Sequence, residues 1–202
     1  LHLTVNYSVR EGLRTADLYG RSPIEVDFIN DNSKQKLSLE VTPLRNGKIE
    51  LTDFEDKFVT RQETKRVILA EYGDTVATPV GQVVVHKTLF MDSTYLKKTI
   101  TVIKNSLAAT TNAYRAAVKS DVANKQASVV TISMNNTVPR RAEDVINTLI
   151  AVYEEDAIAD KRQLSVVTAD FIKERMQVIG RELGDVDRDI EDIKKSNKMI
   201  DI

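Results

Sequence analysis

The sequence predicts an α+β protein, with a strand-rich first half and one very long C-terminal helix. Three observations carry this. Period-two alternation and turn signals run through residues 1–106. From Pro139 to Ile202 no further Pro occurs, and Gly180 and Gly184 are the only glycines. Within that stretch, apolar residues recur on a strict four-three spacing.

The elements follow in order. Thr4 to Val9 alternates as a half-buried strand does, and Glu11 to Gly20 reads as a short helix or loop. Pro23 to Ile29 alternates again, and the polar stretch Asn30 to Gln35 is a turn. Leu37 to Val41 and Ile49 to Leu51 flank Arg45-Asn46-Gly47. Asn-Gly is a strong hairpin signal, because both residues tolerate positive φ. Val67 to Leu69 forms a strand leading to Gly73-Asp74, and Thr78-Pro79-Val80-Gly81 precedes a strand at Val83 to Val85. Thr99 to Ile103 is a further strand, and the Ala-rich stretch Leu107 to Val118 is a helix. Val129 to Met134 is the last strand, and its β-branched run suits a sheet interior. Asn136 or Thr137 caps the next helix, with Pro139 near its start, where a missing N–H does no harm.

A helix from Pro139 to Ile202 would be about 90 Å long at 1.5 Å per residue. Helices of compact domains are far shorter, so this length requires a cause. Ile172, Met176, Ile179, Leu183, Val186, Ile190, Ile193 and Ile200 form a heptad seam, with Asn197 in the remaining slot. Mixed charges between them make a solvated face. Burying each seam side chain contributes about 1.5–3 kcal/mol, so the stripe is expected to be covered. Val145, Ile146, Leu149, Ile150, Val152 and Tyr153 span a wider arc, and are expected to lie on the sheet. The simpler alternative is a break near Gly180 and Gly184. The division expected is a base at 1–150 and a long helix at 139–202, packed on the base in its first half and projecting in its second.

Composition excludes several functions. Twenty-nine Lys and Arg against thirty Asp and Glu give a net charge of −1 in 202 residues. No nucleic-acid partner is expected, since phosphate binding needs clustered positive charge. Aromatics are only 5% and Trp is absent, which argues against base-stacking platforms. Without Cys there is neither a disulfide framework nor thiolate chemistry. Two His cannot build a zinc site alone. No phosphate-binding, dinucleotide, zinc-protease or nucleophile-elbow motif occurs. No catalytic residue, cofactor or metal is expected.

The weaker candidates have simpler readings. His2 is next to the start, and His86 is expected on a strand surface. Asp31 with Asp27, and Asp53 with Asp56, fit turn geometry better than acid–base catalysis. Arg140-Arg141 is the one local oddity, because cations at a helix start oppose its dipole. An anion site combining helix amides with two Arg is the functional candidate. The simpler expectation is that both project into solvent and pair with Glu143 or Asp144.

The stretch Pro139-Arg140-Arg141-Ala142-Glu143-Asp144-Val145-Ile146-Asn147-Thr148-Leu149-Ile150-Ala151-Val152-Tyr153 resembles the hallmark of the Wzz-like chain-length determinants. These polysaccharide co-polymerases include the periplasmic part of bacterial tyrosine autokinases. In that family a Pro, an Ala three residues later, an Asn and a Tyr open the long helix, here Pro139, Ala142, Asn147 and Tyr153. Asp170 to Arg175, Glu182-Leu183 and Lys194 to Lys198 also match. Upstream, Tyr72-Gly73-Asp74, Thr78 to Gly81, Leu18-Tyr19 and Ser22-Pro23-Ile24 resemble the branch with a large β-rich insertion.

The resemblance implies a β-rich α/β base near a membrane, with the helix projecting as a coiled-coil-like arm. It implies a non-catalytic domain on the periplasmic side of the bacterial inner membrane, regulating chain length or export of a surface polysaccharide. The implied partners are further copies of itself, polymerase or export machinery, and the polysaccharide. Membrane attachment would come only from segments not in this chain. The autokinase branch adds a cytoplasmic kinase domain, also not in this chain. Leu1 in place of Met, and a helical pattern running uncapped to Ile202, lead us to expect an excised fragment. The alternative is a periplasmic adaptor or scaffold with a coiled-coil stalk. Such adaptors carry Gly-rich lipoyl-like half-motifs, whereas seven Gly are scattered here.

Overall fold

A computed structural model describes residues 2–29, 35–122 and 129–198, with side chains to residue 196. The chain is α+β and divides into two compact units, Leu1–Ile146 and Asn147–Ile202. The first unit contains eleven strands among the described residues. They are β1 (Val5–Glu11), β2 (Arg14–Asp17), β3 (Ile24–Ile29), β4 (Leu37–Pro43), β5 (Lys48–Glu55), β6 (Ile68–Glu71), β7 (Thr75–Thr78), β8 (Gly81–Lys87), β9 (Ile100–Lys104), β10 (Val118–Val122) and β11 (Val130–Met134). Two helices lie among them, the single turn α1 (Arg61–Thr64) and α2 (Leu107–Ala117). The helix α3 (Pro139–Lys198) begins in the first unit and makes up the described part of the second.

Six strands form one sheet in the order β2-β1-β9-β4-β5-β6, and three form another in the order β3-β8-β7. Among the described residues every pairing is antiparallel. The core shows why both sheets form. Along β4, Leu37, Leu39, Val41 and Pro43 are buried, while Ser38, Glu40 and Thr42 between them are half-buried. Leu39, Val41, Ile49, Leu51, Ile100 and Val102 of the larger sheet join Ile24, Val26, Val83 and Val85 of the smaller one in a single apolar cluster. Alternation with period two places these side chains on one face of each strand.

Glu11 to Gly20 is a strand hairpin and not a helix. Glu11 pairs with Arg14 across a two-residue loop. Gly12 has φ +64°, the conformation such a loop gives to glycine. At Asn46-Gly47 the hairpin is present, but only Gly47 has positive φ, at +79°. The Gly47 N–H donates to Leu44 O (3.3 Å) and the Leu44 N–H to Lys48 O (2.8 Å). That is a three-residue loop closed by a left-handed glycine. Asn46 acts through its side chain, whose Oδ1 accepts the Lys48 N–H at 3.1 Å.

The last strand does not occupy a sheet interior. β11 pairs with β10 alone in a two-stranded ribbon, and Val129 and Val130 are exposed. A β-branched run favours the extended backbone, but burial needs a second layer. The turn expected at Asn30 to Gln35 lies, up to Lys34, outside the described residues. The start of α3 is capped at one remove. The Asn136 side-chain oxygen accepts the Val138 N–H (2.9 Å), and Val138 O accepts the first helical N–H groups, from Arg141 (3.1 Å) and Ala142 (3.3 Å).

The helix runs through Gly180 and Gly184 without a break. Along it Arg141, Ala142 and Val145 are buried. The wide apolar arc expected to lie on the sheet is covered at Val145 and half-covered at Ile146. Leu149, Ile150, Val152 and Tyr153 are exposed instead.

Candidate functional site

The first turn of α3 meets the connection between β2 and β3, within the first unit. Asp17, the last residue of β2, organises the junction. Its Oδ1 accepts the Tyr19 N–H at 2.9 Å, which turns the chain. The Arg21 N–H then donates to Leu18 O at 2.9 Å, and Gly20 takes φ +69°. The same Asp17 oxygen accepts from Arg141 Nη2 at 2.8 Å. The Arg141 guanidinium sits over the Tyr19 ring, 4.6 Å from its centroid. The Tyr19 hydroxyl donates to Asp144 Oδ2 at 3.0 Å, one turn further along α3. Asp17, Tyr19, Arg141 and Asp144 thus form one network. Burial, reinforced by the Asp144 carboxylate, raises the Tyr19 pKa.

The expectation for Arg140 and Arg141 is corrected here. Arg141 neither projects into solvent nor pairs with Glu143 or Asp144. Its side chain is 10% exposed and paired with Asp17. The Nε of Arg141 is buried without a hydrogen-bond partner. Arg140 is exposed and makes no ion pair among the described residues. Its guanidinium lies over Gly20, where a Cβ would stand 3.8 Å from Cζ and Nε.

A cavity of about 470 Å³ adjoins this network. Its apolar wall includes Val5, Leu18, Ile24, Val26, Phe28 and Phe90. Arg140, Arg141, Asp144 and Lys104 border it, together with Glu25 and Asp27 from the exposed face of β3. Lys104 is buried at the end of β9, with Nζ 5.0 Å from the Phe28 ring centroid. Burial lowers its pKa. Tyr7 lines the same space. Its oxygen accepts the Val26 N–H at 2.9 Å, and burial pushes its pKa up to about 12.

The other sequence-derived residues lie elsewhere. Ile172, Met176, Ile179, Leu183, Val186, Ile190 and Ile193 are exposed along α3. Ile200 and the Asn197 side chain lie outside the described residues. Of the helix-start residues, Ala142 is buried, while Pro139, Asn147 and Tyr153 are exposed. His86 is on the surface of β8, with Nε2 3.4 Å from Asp27 Oδ2. Asp27 is therefore on a strand and not in a turn, and Asp31 lies outside the described residues. Asp53 falls within β5 with φ +50°, beside a register shift in its pairing with β4. Among the described residues no three His, Asp or Glu gather as metal ligands, and no helix is long and apolar enough to cross a membrane. Sequence reasoning missed Asp17 and Tyr19 as partners of Arg141, and Tyr19 as the partner of Asp144, because these contacts join residues about 120 positions apart. No family model, no curated protein and no solved structure matches the chain.

Proposed function

We propose that this chain is a non-catalytic periplasmic domain of an inner-membrane polysaccharide co-polymerase of the Wzz-like kind, which regulates chain length or export of a surface polysaccharide. The observation that carries this reading is the helix α3. It opens at Pro139 shortly after the last strand and continues unbroken to Lys198, with its heptad seam exposed. Such a stripe supports a part that organises other chains, because seven apolar side chains, each about half exposed or more, forgo much of the about 1.5–3 kcal/mol that full burial of each would contribute. The partners in this reading are further copies, in a ring-like homo-oligomer, and polymerase or export machinery. The polysaccharide is a further partner.

The test uses a producing bacterium whose own copy of this protein carries Leu183→Asp and Ile190→Asp. The expected result is loss of the modal length of surface polysaccharide on gels, with the variant present at normal level. An unchanged length distribution would count against the reading. A stalked adaptor, by contrast, would lose transport and leave polymer length unaltered.

A further inference from the structure

We propose that the cavity bounded by β3, the β2–β3 connection and the first turn of α3 binds a small amphipathic anion. Its single carboxylate or phosphate sits on Arg140, and its apolar body lies against Val5, Phe28 and Phe90. This goes beyond the co-polymerase reading and does not rest on it.

Size comes first. A volume of about 470 Å³ falls within the range of small-molecule sites, about 300–1,000 Å³. The wall has the character of such sites, mostly apolar and aromatic with a few polar groups that converge.

The two arginines divide the work. Arg141 is spent, held by Asp17 at 2.8 Å and by the Tyr19 ring at 4.6 Å. One of its donors, Nε, is nevertheless buried without a partner, in a side chain only 10% exposed that borders the cavity. Arg140 is unspent. No ion pair engages it among the described residues, and one flank of its guanidinium lies over Gly20. Its planar fork of donors can take a carboxylate or phosphate in two parallel hydrogen bonds.

The acidic neighbours limit the ligand. The Tyr19 hydroxyl already donates to Asp144. Glu25 and Asp27 border the cavity from the outward face of β3 and repel further negative charge. A polyanion would feel the field of both carboxylates, although their side chains lie on the other face of β3 from Val26 and Phe28. A compact anionic head with an uncharged apolar body avoids them.

The test is calorimetry on the 202-residue chain with octyl phosphate, octyl glucoside and inorganic phosphate. Octyl phosphate is expected to bind saturably at one site. Octyl glucoside and inorganic phosphate are each expected to bind at least about tenfold more weakly, as the loss of one charge-assisted contact or of the apolar body implies. Arg140→Gln should weaken octyl phosphate about tenfold and leave octyl glucoside unchanged. Arg140 is exposed, so this variant tests the site and not the fold. Phe90→Ala, also at an exposed position, should weaken both amphiphiles. Absence of saturation, inorganic phosphate binding as tightly as octyl phosphate, or an unaltered Arg140→Gln variant would each overturn the proposal. Flotation with phosphatidylglycerol vesicles identifies the source. Capture that requires Arg140 makes it a lipid headgroup. No capture, with octyl phosphate binding intact, makes it a free amphiphile. Capture indifferent to Arg140→Gln would overturn the assignment of the head to that residue.

Discussion

Arg141 Nη2 lies 2.8 Å from Asp17 Oδ1, and this contact ties the first turn of α3 to the end of β2. The two partners are unequally placed, with the Arg141 side chain 10% exposed and that of Asp17 30% exposed. Removing either therefore leaves a different orphan. An unpaired Arg141 would stay buried, whereas an unpaired Asp17 can turn to water and still accept the Tyr19 N–H.

The first prediction follows from that asymmetry. Asp17→Ala should destabilise the first unit by about 2–3 kcal/mol, toward the lower end for breaking a buried pair because Asp17 is partly solvated. Arg141→Met should cost under about 1 kcal/mol, since an apolar side chain can fill the space without a charge. Chemical denaturation followed by tyrosine fluorescence compares them. Arg141→Met proving the more damaging would mean that the cation over Tyr19, and not the ion pair, holds the junction.

The same pair shows how much was legible in the sequence. Alternation in β4 and the Asn46-Gly47 turn are local signals, and they placed the β4–β5 hairpin. The long helix was legible for the same reason, as periodicity without breakers. β10 was not, because Val118 and Val122 stand only at its ends, Lys119-Ser120-Asp121 between them shows no alternation, and among the described strands it pairs with β11 alone. Arg141 was misread because the sequence displays only the carboxylates one turn away, Glu143 and Asp144. Its actual partner is 124 residues distant and comes close only once β1, β2 and α3 have assembled. The cavity was invisible for a related reason. Part of its apolar wall is the inward face of β3, whose alternation is a local signal, but Val5, Leu18 and Phe90 come from other segments, and the space between them has no sequence signature.

The second prediction concerns alkaline pH. Burial raises the Tyr7 pKa from its ordinary value of 10.0 to about 12, although the Val26 N–H it accepts pulls the other way. The unfolded chain then loses this proton at lower pH than the folded one. Stability from this group is fully present below about pH 10 and is lost as pH rises through about 12. A shift of this size corresponds to roughly 2–3 kcal/mol. Denaturation curves at pH 9 and pH 12, with tyrosinate absorbance followed alongside, check it. Tyr7→Phe should flatten the decline and remove the latest-ionising tyrosine. A tyrosine titration in which this variant loses only an early-ionising group would refute the assignment.

The third prediction uses the glycines of α3. Gly180 and Gly184 are helical, and a Cβ at either would meet nothing within 4 Å. Glycine in a helix interior costs about 0.5–1 kcal/mol relative to alanine. Gly180→Ala and Gly184→Ala should therefore each slow amide exchange around their own turns by up to several-fold. Faster exchange in either variant would point to a partner seated so closely there that even a methyl group is excluded.

The fourth prediction is the orientation in which two free copies of this chain associate. Numbering the seam as heptads puts Met176, Leu183 and Ile190 at one core position, and Ile172, Ile179, Val186 and Ile193 at the other. Lys173, Asp187 and Lys194 then flank one side, and Arg175, Glu182 and Asp189 the other. The ion pairs seen within the helix, Arg188 with Asp185 at 3.3 Å and Lys195 with Glu191 at 3.6 Å, lie at outer positions and leave these flanking charges unspent. In a parallel pair Glu182 would face Asp187 of the second copy and Asp189 would face Lys194, so repulsion offsets attraction. An antiparallel pair that sets Ile172 against Ile190, Met176 against Val186 and Ile179 against Leu183 brings Lys173 to Asp187 and Arg175 to Asp189, each twice. The single like-charge contact is then Glu182 with itself. Exposed pairs contribute only about 0.3–0.5 kcal/mol each, so they select orientation, while the apolar layers supply the affinity. The absence of native cysteine makes disulfide trapping clean. A mixture of Ile172→Cys and Ile190→Cys chains should cross-link to heterodimers, and Ile172→Cys alone should not. Leu183→Asp should abolish association without changing the unfolding of the first unit, because Leu183 is 61% exposed in the single chain, whereas Asp187→Ala should only weaken it. Efficient cross-linking of Ile172→Cys to itself would establish a parallel pair and refute the charge argument. A strictly monomeric chain at high concentration would mean that the stripe is tolerated bare.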